Sequence, residues 1–417
     1  MRKTNFIIVA IVAICSMVSC NITMDELESH LYINKNGNLA FKRNVNIIKF
    51  SGETSTKQYE INDFSQITMN SIINVEYYQT DSIQPAVLIC NKELLPFIDV
   101  YVKNGILHIE ESDSLNKYHL PSDTRTYKCT LRCYSKMLTN VKHNGFGDIT
   151  LTNSIKGKKL TVDNSGFGDF TCLKPLELDE LEINISGNGM SKLCGTFKNA
   201  IFDISGFGDI NINGDLTAQS LSINCSGSGD IVFSKPAKIE TLKIDLSGFG
   251  DIDIDELEST NIDIDCSGSG NSTISKINTQ SLNLNISGYG DIDITDLKST
   301  NTDIDCNGSG DITIPKINNK SLDLKASGYG DIRLDDGFVE NLNIDFSGSG
   351  SFEAKYLKAD NVTFKASGYG EHYIGLINKS MDVKLHNSTS LTYSGNPEIQ
   401  NINVSGNASI HKRNNNE

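Results

Sequence analysis

SGYGDIDITDLKSTNTDIDCNGSGDITI, residues 287–314, says nearly the same thing twice. Gly288-Tyr289-Gly290 is followed by Asp-Ile-x-Ile, and twenty residues later Gly308-Ser309-Gly310 is followed by Asp-Ile-x-Ile again. Ile292 and Ile294 alternate with Asp291 and Asp293; upstream, Leu282, Leu284 and Ile286 alternate with Asn283 and Asn285. An apolar residue at every second position marks a strand with one buried face. The SGYG tetrapeptide turns the chain, because glycine permits positive φ or a close approach of backbones. Leu297 stands alone in a polar connection. Such a unit has an apolar side and nothing of its own to bury it against, so units must stack.

The phrase runs through most of the chain. Gly-x-Gly begins at 145, 166, 187, 206, 227, 248, 268, 288, 308, 328, 348 and 368, with a spacing of 20 from 248 onward. A fixed period of this length is the signature of a repeat architecture. Inward positions stay apolar from unit to unit, as at Ile262, Ile264, Cys266 and Ile304, Cys306, with Thr302 a mild exception. The expected fold is all-β: a right-handed parallel β-helix of rungs about 20 residues long, a rod of roughly 65 Å at about 4.8 Å per rung. An antiparallel meander is the competing arrangement, but a single sheet would leave its apolar face uncovered.

A finer period lies on top. The middle residue of Gly-x-Gly reads Phe207, Ser228, Phe249, Ser269, Tyr289, Ser309, Tyr329, Ser349, Tyr369. Large and small alternate, so the true unit is two rungs. Packing supplies one explanation: aromatics on every rung would crowd.

The ends of the chain read differently. Residues 1–19, MRKTNFIIVAIVAICSMVS, carry Arg2 and Lys3 before a ten-residue apolar run, Phe6 to Cys15, too short to span a bilayer as a helix. This is an export signal. Met17-Val18-Ser19-Cys20 resembles a bacterial lipoprotein box, which implies that Cys20 becomes a lipidated N-terminus. Residues 20–45 read as a polar tether and 413–417 as a frayed tail. Residues 46–140 form a separate β-rich leading part, with two or three strands in 59–81, a short helix around Lys92 to Phe97, and two strands joined at Asn104-Gly105. The repeat proper, with a closing cap in 391–412, occupies 141–412.

Asp and Glu outnumber Lys and Arg by 52 to 37, a net charge of −15, which argues against a nucleic-acid partner. Eight cysteines follow Cys20. Cys225, Cys266 and Cys306 each precede an equivalent glycine turn, a regularity that suits a buried packing position rather than a bridge framework. The sequence gives no preference for Cys129 and Cys133.

Three stretches together resemble the head GIN domain family of auto-transporter adhesins: YEINDFSQITMNSIINVEYYQ at 59–79, the run of SGSGD, SGFGD and SGYGD turns, and LTYSGNPEIQNINVSGNASI at 391–410. The resemblance implies a β-helix akin to pectate-lyase solenoids without their catalytic residues, and an adhesive role.

Little in the chain points to catalysis. The seven histidines are scattered without metal-ligand spacing, the SGxG serines recur too often to be a unique nucleophile, and GYGDID has no following helix or lysine. Two columns are candidate binding sites. Asp251, Asp291, Asp311 and Asp331 belong to an acidic column one residue past each turn, where carboxylates either accept turn N–H groups or hold Ca²⁺. Phe249, Tyr289, Tyr329 and Tyr369 recur every second rung, roughly 10 Å apart, and suit a partner such as an extended β-linked glycan if exposed. The expected function is that of a non-enzymatic, lipid-anchored cell-envelope protein, adhesin-like, binding a glycan or protein along a repetitive surface. A ligand-free structural spacer and a polysaccharide-active enzyme are the alternatives.

Overall fold

The computed structural model describes residues 46–120 and 128–413, preceded by the short strands Leu31–Ile33 and Leu39–Phe41. The export signal, Cys20, most of the 20–45 tether and residues 414–417 lie outside the described residues.

The repeat forms a parallel β-helix of about 14 turns. Each coil lies on the one before it at an offset of one repeat: Ile292 pairs with Ile312, Leu297 with Ile317 and Ile304 with Leu324. From Ile252 to Ala366 a coil is one 15-residue strand, such as Ile292–Cys306, followed by a glycine turn. The polar connection around Leu297 is therefore strand as well, paired from Asp296 to Ser299 with the next coil.

Burial along the strand explains how it closes on itself. In Ile292–Cys306 the buried positions are 292, 294, 297, 299, 302, 304 and 306. The step of two slips to three after 294 and after 299. Each slip puts two consecutive side chains outside, which a strand does only by bending. Two slips and one glycine turn make three corners, so the cross-section has three faces around one core. Within that core, columns compensate in volume: Phe346 lies between Ala326 and Ala366, all buried.

Cys225, Cys266 and Cys306 are free and buried, as the regular spacing implied. Leu246 and Ile286 separate them, so successive sulfurs lie two coils apart, about 10 Å, beyond disulfide reach.

The leading segment forms the first coils and a cover beneath them. Gln66–Asn70 and Asn74–Gln79 run parallel to Asn140–His143 and to Ile149–Leu151, so residues 66–79 supply two faces and the turn between them under the first glycine turn. The chain then leaves the axis. Thr54–Tyr59 and Ala86–Asn91 pair antiparallel, and Ala86–Asn91 pairs antiparallel with Thr130–Ser135. Ile98–Lys103 and Ile106–Glu111 form the expected hairpin, with Asn104 and Gly105 both at positive φ. The short helix expected at Lys92–Phe97 is only a turn and the 3₁₀ helix Leu95–Phe97. A disulfide joins Cys90 to Cys129, a pairing the sequence left open, while Cys133 is free and buried.

The far end is built differently. Glu398–Val404 pairs with Ser380–Leu385, and Ser409–Lys412 with Ser390–Tyr393. The segment expected to cap this end is thus its last coil, and Ile399, Ile402 and Val404 are exposed there. No helix among the described residues is long and apolar enough to cross a membrane.

Candidate functional site

The glycine turns stack directly. A Cβ on Gly288 would lie 2.0 Å from the carbonyl oxygen of Gly268, and one on Gly290 would lie 1.9 Å from that of Gly270. Neither glycine has positive φ, so close approach of backbones, not a left-handed conformation, requires them. Only the middle residue of the turn has room for a side chain. Its N–H is fixed by the coil below: Tyr289 donates to the Gly268 carbonyl at 2.9 Å, and Tyr329 to that of Gly308 at 3.0 Å.

The side chains so placed point to solvent. Phe207, Phe249, Tyr289, Tyr329 and Tyr369 are 70, 74, 77, 76 and 66% exposed. They form one ridge along the rod, with serines between them. Large apolar rings this exposed, repeated in line, are unusual for a soluble surface. The two coils nearest the N-terminal end show that crowding does not impose the alternation. Phe146 and Phe167 occupy adjacent turns and stack face to face, with centroids 4.9 Å apart and planes 3° from parallel. Consecutive aromatics therefore fit, and the serines further along leave gaps that packing did not require. These two phenylalanines extend the ridge beyond the residues singled out from the sequence; their Gly-x-Gly context was the available signal.

The acidic column has a structural use. Asp311 Oδ1 accepts the backbone N–H of Asp331 at 2.7 Å, Asp291 Oδ1 that of Asp311 at 2.8 Å, and Asp251 Oδ1 that of Asn271 at 2.7 Å. Asp331 Oδ1 accepts from Ser351 N–H at 2.7 Å. Asn271 and Asn74 do the same for Asp291 and Asp148. Each side chain caps the N–H of its counterpart one coil on, just where the backbone ladder is interrupted by the turn. The column supplies an acceptor oxygen at nearly every coil, Met190 being an exception that receives a bond from Asp169 and passes none on, and lysine does not appear in it. Among the described residues no group of three or more His, Cys, Asp or Glu side chains is placed to hold a metal ion. Asp251, Asp291, Asp311 and Asp331 stand one per coil or further apart and do not converge as calcium requires.

Buried titratable groups sit in the core, away from the ridge. His372 Nδ1 accepts the N–H of Phe352 at 3.2 Å, and its ring lies 4.7 Å from Phe346 and 5.3 Å from Phe364. Burial pushes its pKa down to about 4. Burial also raises the thiols of Cys133 and Cys172, so neither is a nucleophile at neutral pH.

The family described as "putative auto-transporter adhesin, head GIN domain" matches residues 63–235, 222–334 and 276–397. The chain belongs to this family. Three overlapping matches are what a repeat longer than one family unit produces, and the head GIN domain here spans nearly all of the β-helix. Solved structures match the chain at low identity. A putative adhesin from Bacteroides fragilis NCTC 9343 is 23% identical, covering 55% of this chain and all of its own, with a TM-score of 0.46. A putative adhesin from Parabacteroides merdae ATCC 43184 is 17% identical over 89% of this chain, with a TM-score of 0.28. A putative lipid binding protein from Parabacteroides distasonis ATCC 8503 is 16% identical over 88%, with a TM-score of 0.21. No curated protein matches the chain. Membership of the head GIN domain family makes this an adhesin-like protein.

Proposed function

We propose that this chain is an exported envelope lipoprotein, anchored through lipid on Cys20, whose aromatic ridge adheres to an extended β-linked glycan. The observation that carries the reading is the exposure of Phe249, Tyr289, Tyr329 and Tyr369 on alternate coils. Aromatic faces bury the apolar faces of sugar rings, and a tyrosine keeps one polar tip for a hydroxyl. Alternate coils place the rings about 10 Å apart, close to the repeat of two sugars in an extended chain. Many weak contacts in line multiply through effective concentration, which suits adhesion to a polymer. Family membership supports the adhesive class, and the lipoprotein-like MVSC sequence supports the anchor.

The test is binding of residues 21–417 to a broad glycan and matrix-protein array, beside a variant with Tyr289, Tyr329 and Tyr369 all changed to alanine. These rings are exposed, so the variant is expected to unfold at the wild-type temperature and to lose glycan binding tenfold or more. A rod that binds nothing on the array is a spacer, and one that binds equally well without the rings does not use the ridge. Anchoring is read separately, by metabolic incorporation of labelled palmitate that Cys20→Ala abolishes.

A further inference from the structure

A second feature lies at a different corner of the coil from the glycine turns and is independent of the ridge. A groove enclosing about 860 Å³ runs lengthwise from Ala218 to Glu340. It crosses seven coils, roughly 30 Å. Its floor is one core-facing column that changes character there. Below the groove's centre the column is Phe197, Ala218 and Ile239; above it, Val339 and Ala359. Between them it reads Ser259, Thr279, Ser299 and Asn319. Thr279 and Ser299 donate to backbone carbonyls at the corner, Thr279 to Thr260 at 3.1 Å and Ser299 to Asn301 at 2.6 Å. Asn319, 2% exposed, donates to Thr302 Oγ1 at 2.6 Å and leaves its Oδ1 without a hydrogen-bond partner. The floor is therefore polar where an apolar core was available.

The walls are outward side chains from the residues on either side of that column. Their charges are Lys238, Lys298 and Lys320 against Glu240, Glu258 and Glu340. Three of each sign cancel, on a chain whose net charge is −15. Lys238 and Glu258 pair with each other at 3.1 Å. Asn278, Gln280, Thr300 and Asn318 add amides and a hydroxyl to the walls, and Phe338 lies toward one end.

We infer that this groove binds a neutral polysaccharide lying along the rod. A peptide needs a free sheet edge, an apolar groove or an arginine cluster. Here the strands flanking the groove are paired on both sides, no arginine lines it, and its apolar residues, Ala218, Ile239 and Phe338, stand only toward its two ends. A polyanion would meet as many carboxylates as ammonium groups. A neutral glycan presents hydroxyls at each sugar, which both signs of charge and the amides bind by charge-assisted and neutral hydrogen bonds. Coils 4.8 Å apart offer such groups about once per sugar along an extended chain.

The experiment is calorimetric titration of residues 21–417 with cellohexaose, laminarihexaose and mannohexaose, with oligogalacturonate as the charged comparison. Gln280→Trp with Thr300→Trp blocks the groove from exposed wall positions, and Asn278→Ala with Lys298→Ala trims the opposite wall as an independent variant. Thermal unfolding verifies that each variant is folded. The titrations are made in the ridge triple variant, so that the ridge contributes nothing, and the expected result is saturable binding of at least one neutral probe, weakened tenfold or more when either set of groove substitutions is added. No saturable binding of any neutral probe would overturn the proposal. So would binding that both folded groove variants retain, or a preference for oligogalacturonate.

Discussion

An aspartate one residue past each glycine turn looks like a ligand and behaves like a piece of backbone. The Oδ1 of Asp311 stands where the turn has taken the strand out of reach, and it accepts the N–H of Asp331 in place of a carbonyl. Chemistry, not charge, is what the position needs, since Asn271 holds Asp291 at 2.9 Å in the same way. Asp311→Asn is therefore expected to keep the melting temperature of the wild type or raise it slightly, by relieving repulsion along the column. Asp311→Leu leaves the N–H of Asp331 unpaired and should cost about 1 kcal/mol. Thermal unfolding of the two variants side by side decides this, and equal losses would mean the carboxylate charge itself is needed. His372 gives a second handle. The folded chain keeps it neutral down to about 4, whereas an exposed histidine protonates near 6.5. Between those values the unfolded chain binds more protons, so acid favours unfolding. Its contribution is whole above about pH 6.5 and is lost as pH falls from there toward 4. From pH 7 to pH 5 the loss amounts to about 2 kcal/mol. His372→Leu should lose less stability than wild type over that interval in denaturant titrations, before most carboxylates begin to protonate.

At the scale of the element, a coil is legible in the sequence because its two ends are. The alternation at Leu282–Ile286 and at Ile292–Ile294 and the glycines between them gave strand, turn and stacking. The stretch from Thr295 to Asn301 did not read as strand, because its two bends interrupt the period of two with paired polar residues. Corners look like loops when only one coil is inspected. The polar groove escaped for the same reason: Thr279, Ser299 and Asn319 are buried core-column residues with loop-like identities. The ridge was legible in position but not in exposure, which follows from the stacked glycines and appears only when coils are laid on one another. The Cys90–Cys129 bridge was beyond reach, since it joins a strand of the cover to a segment that sequence patterning places nowhere in particular. That bridge closes a loop of 39 residues. Loop-closure entropy predicts that Cys90→Ser with Cys129→Ser destabilises the leading part by about 4 kcal/mol. Hydrogen exchange should place the loss in Thr54–Glu111 and leave the coils beyond Ile252 as protected as before.

The whole molecule has two unlike ends. One is covered by antiparallel strands and stapled by a disulfide; the other, among the described residues, ends on the coil of Glu398–Val404 and Ser409–Lys412, with Ile399, Ile402 and Val404 exposed. Between them every coil touches only its neighbours, so stability is a sum of like increments and not one global closure. A ridge on one corner and a groove on another both run parallel to this axis. Length is thus a variable the architecture leaves free, provided coils are added in pairs to keep aromatic and serine in phase.

The uncovered end also decides how the rod responds to load. Among the described residues the coil of Glu398–Val404 and Ser409–Lys412 pairs on one side only, and under a pull from that side it peels first. Each coil released adds twenty residues of slack, roughly 70 Å of extended chain, while those beneath stay folded. A tether that lengthens in such instalments dissipates a sudden tug gradually, and the bridged end is the last to give way.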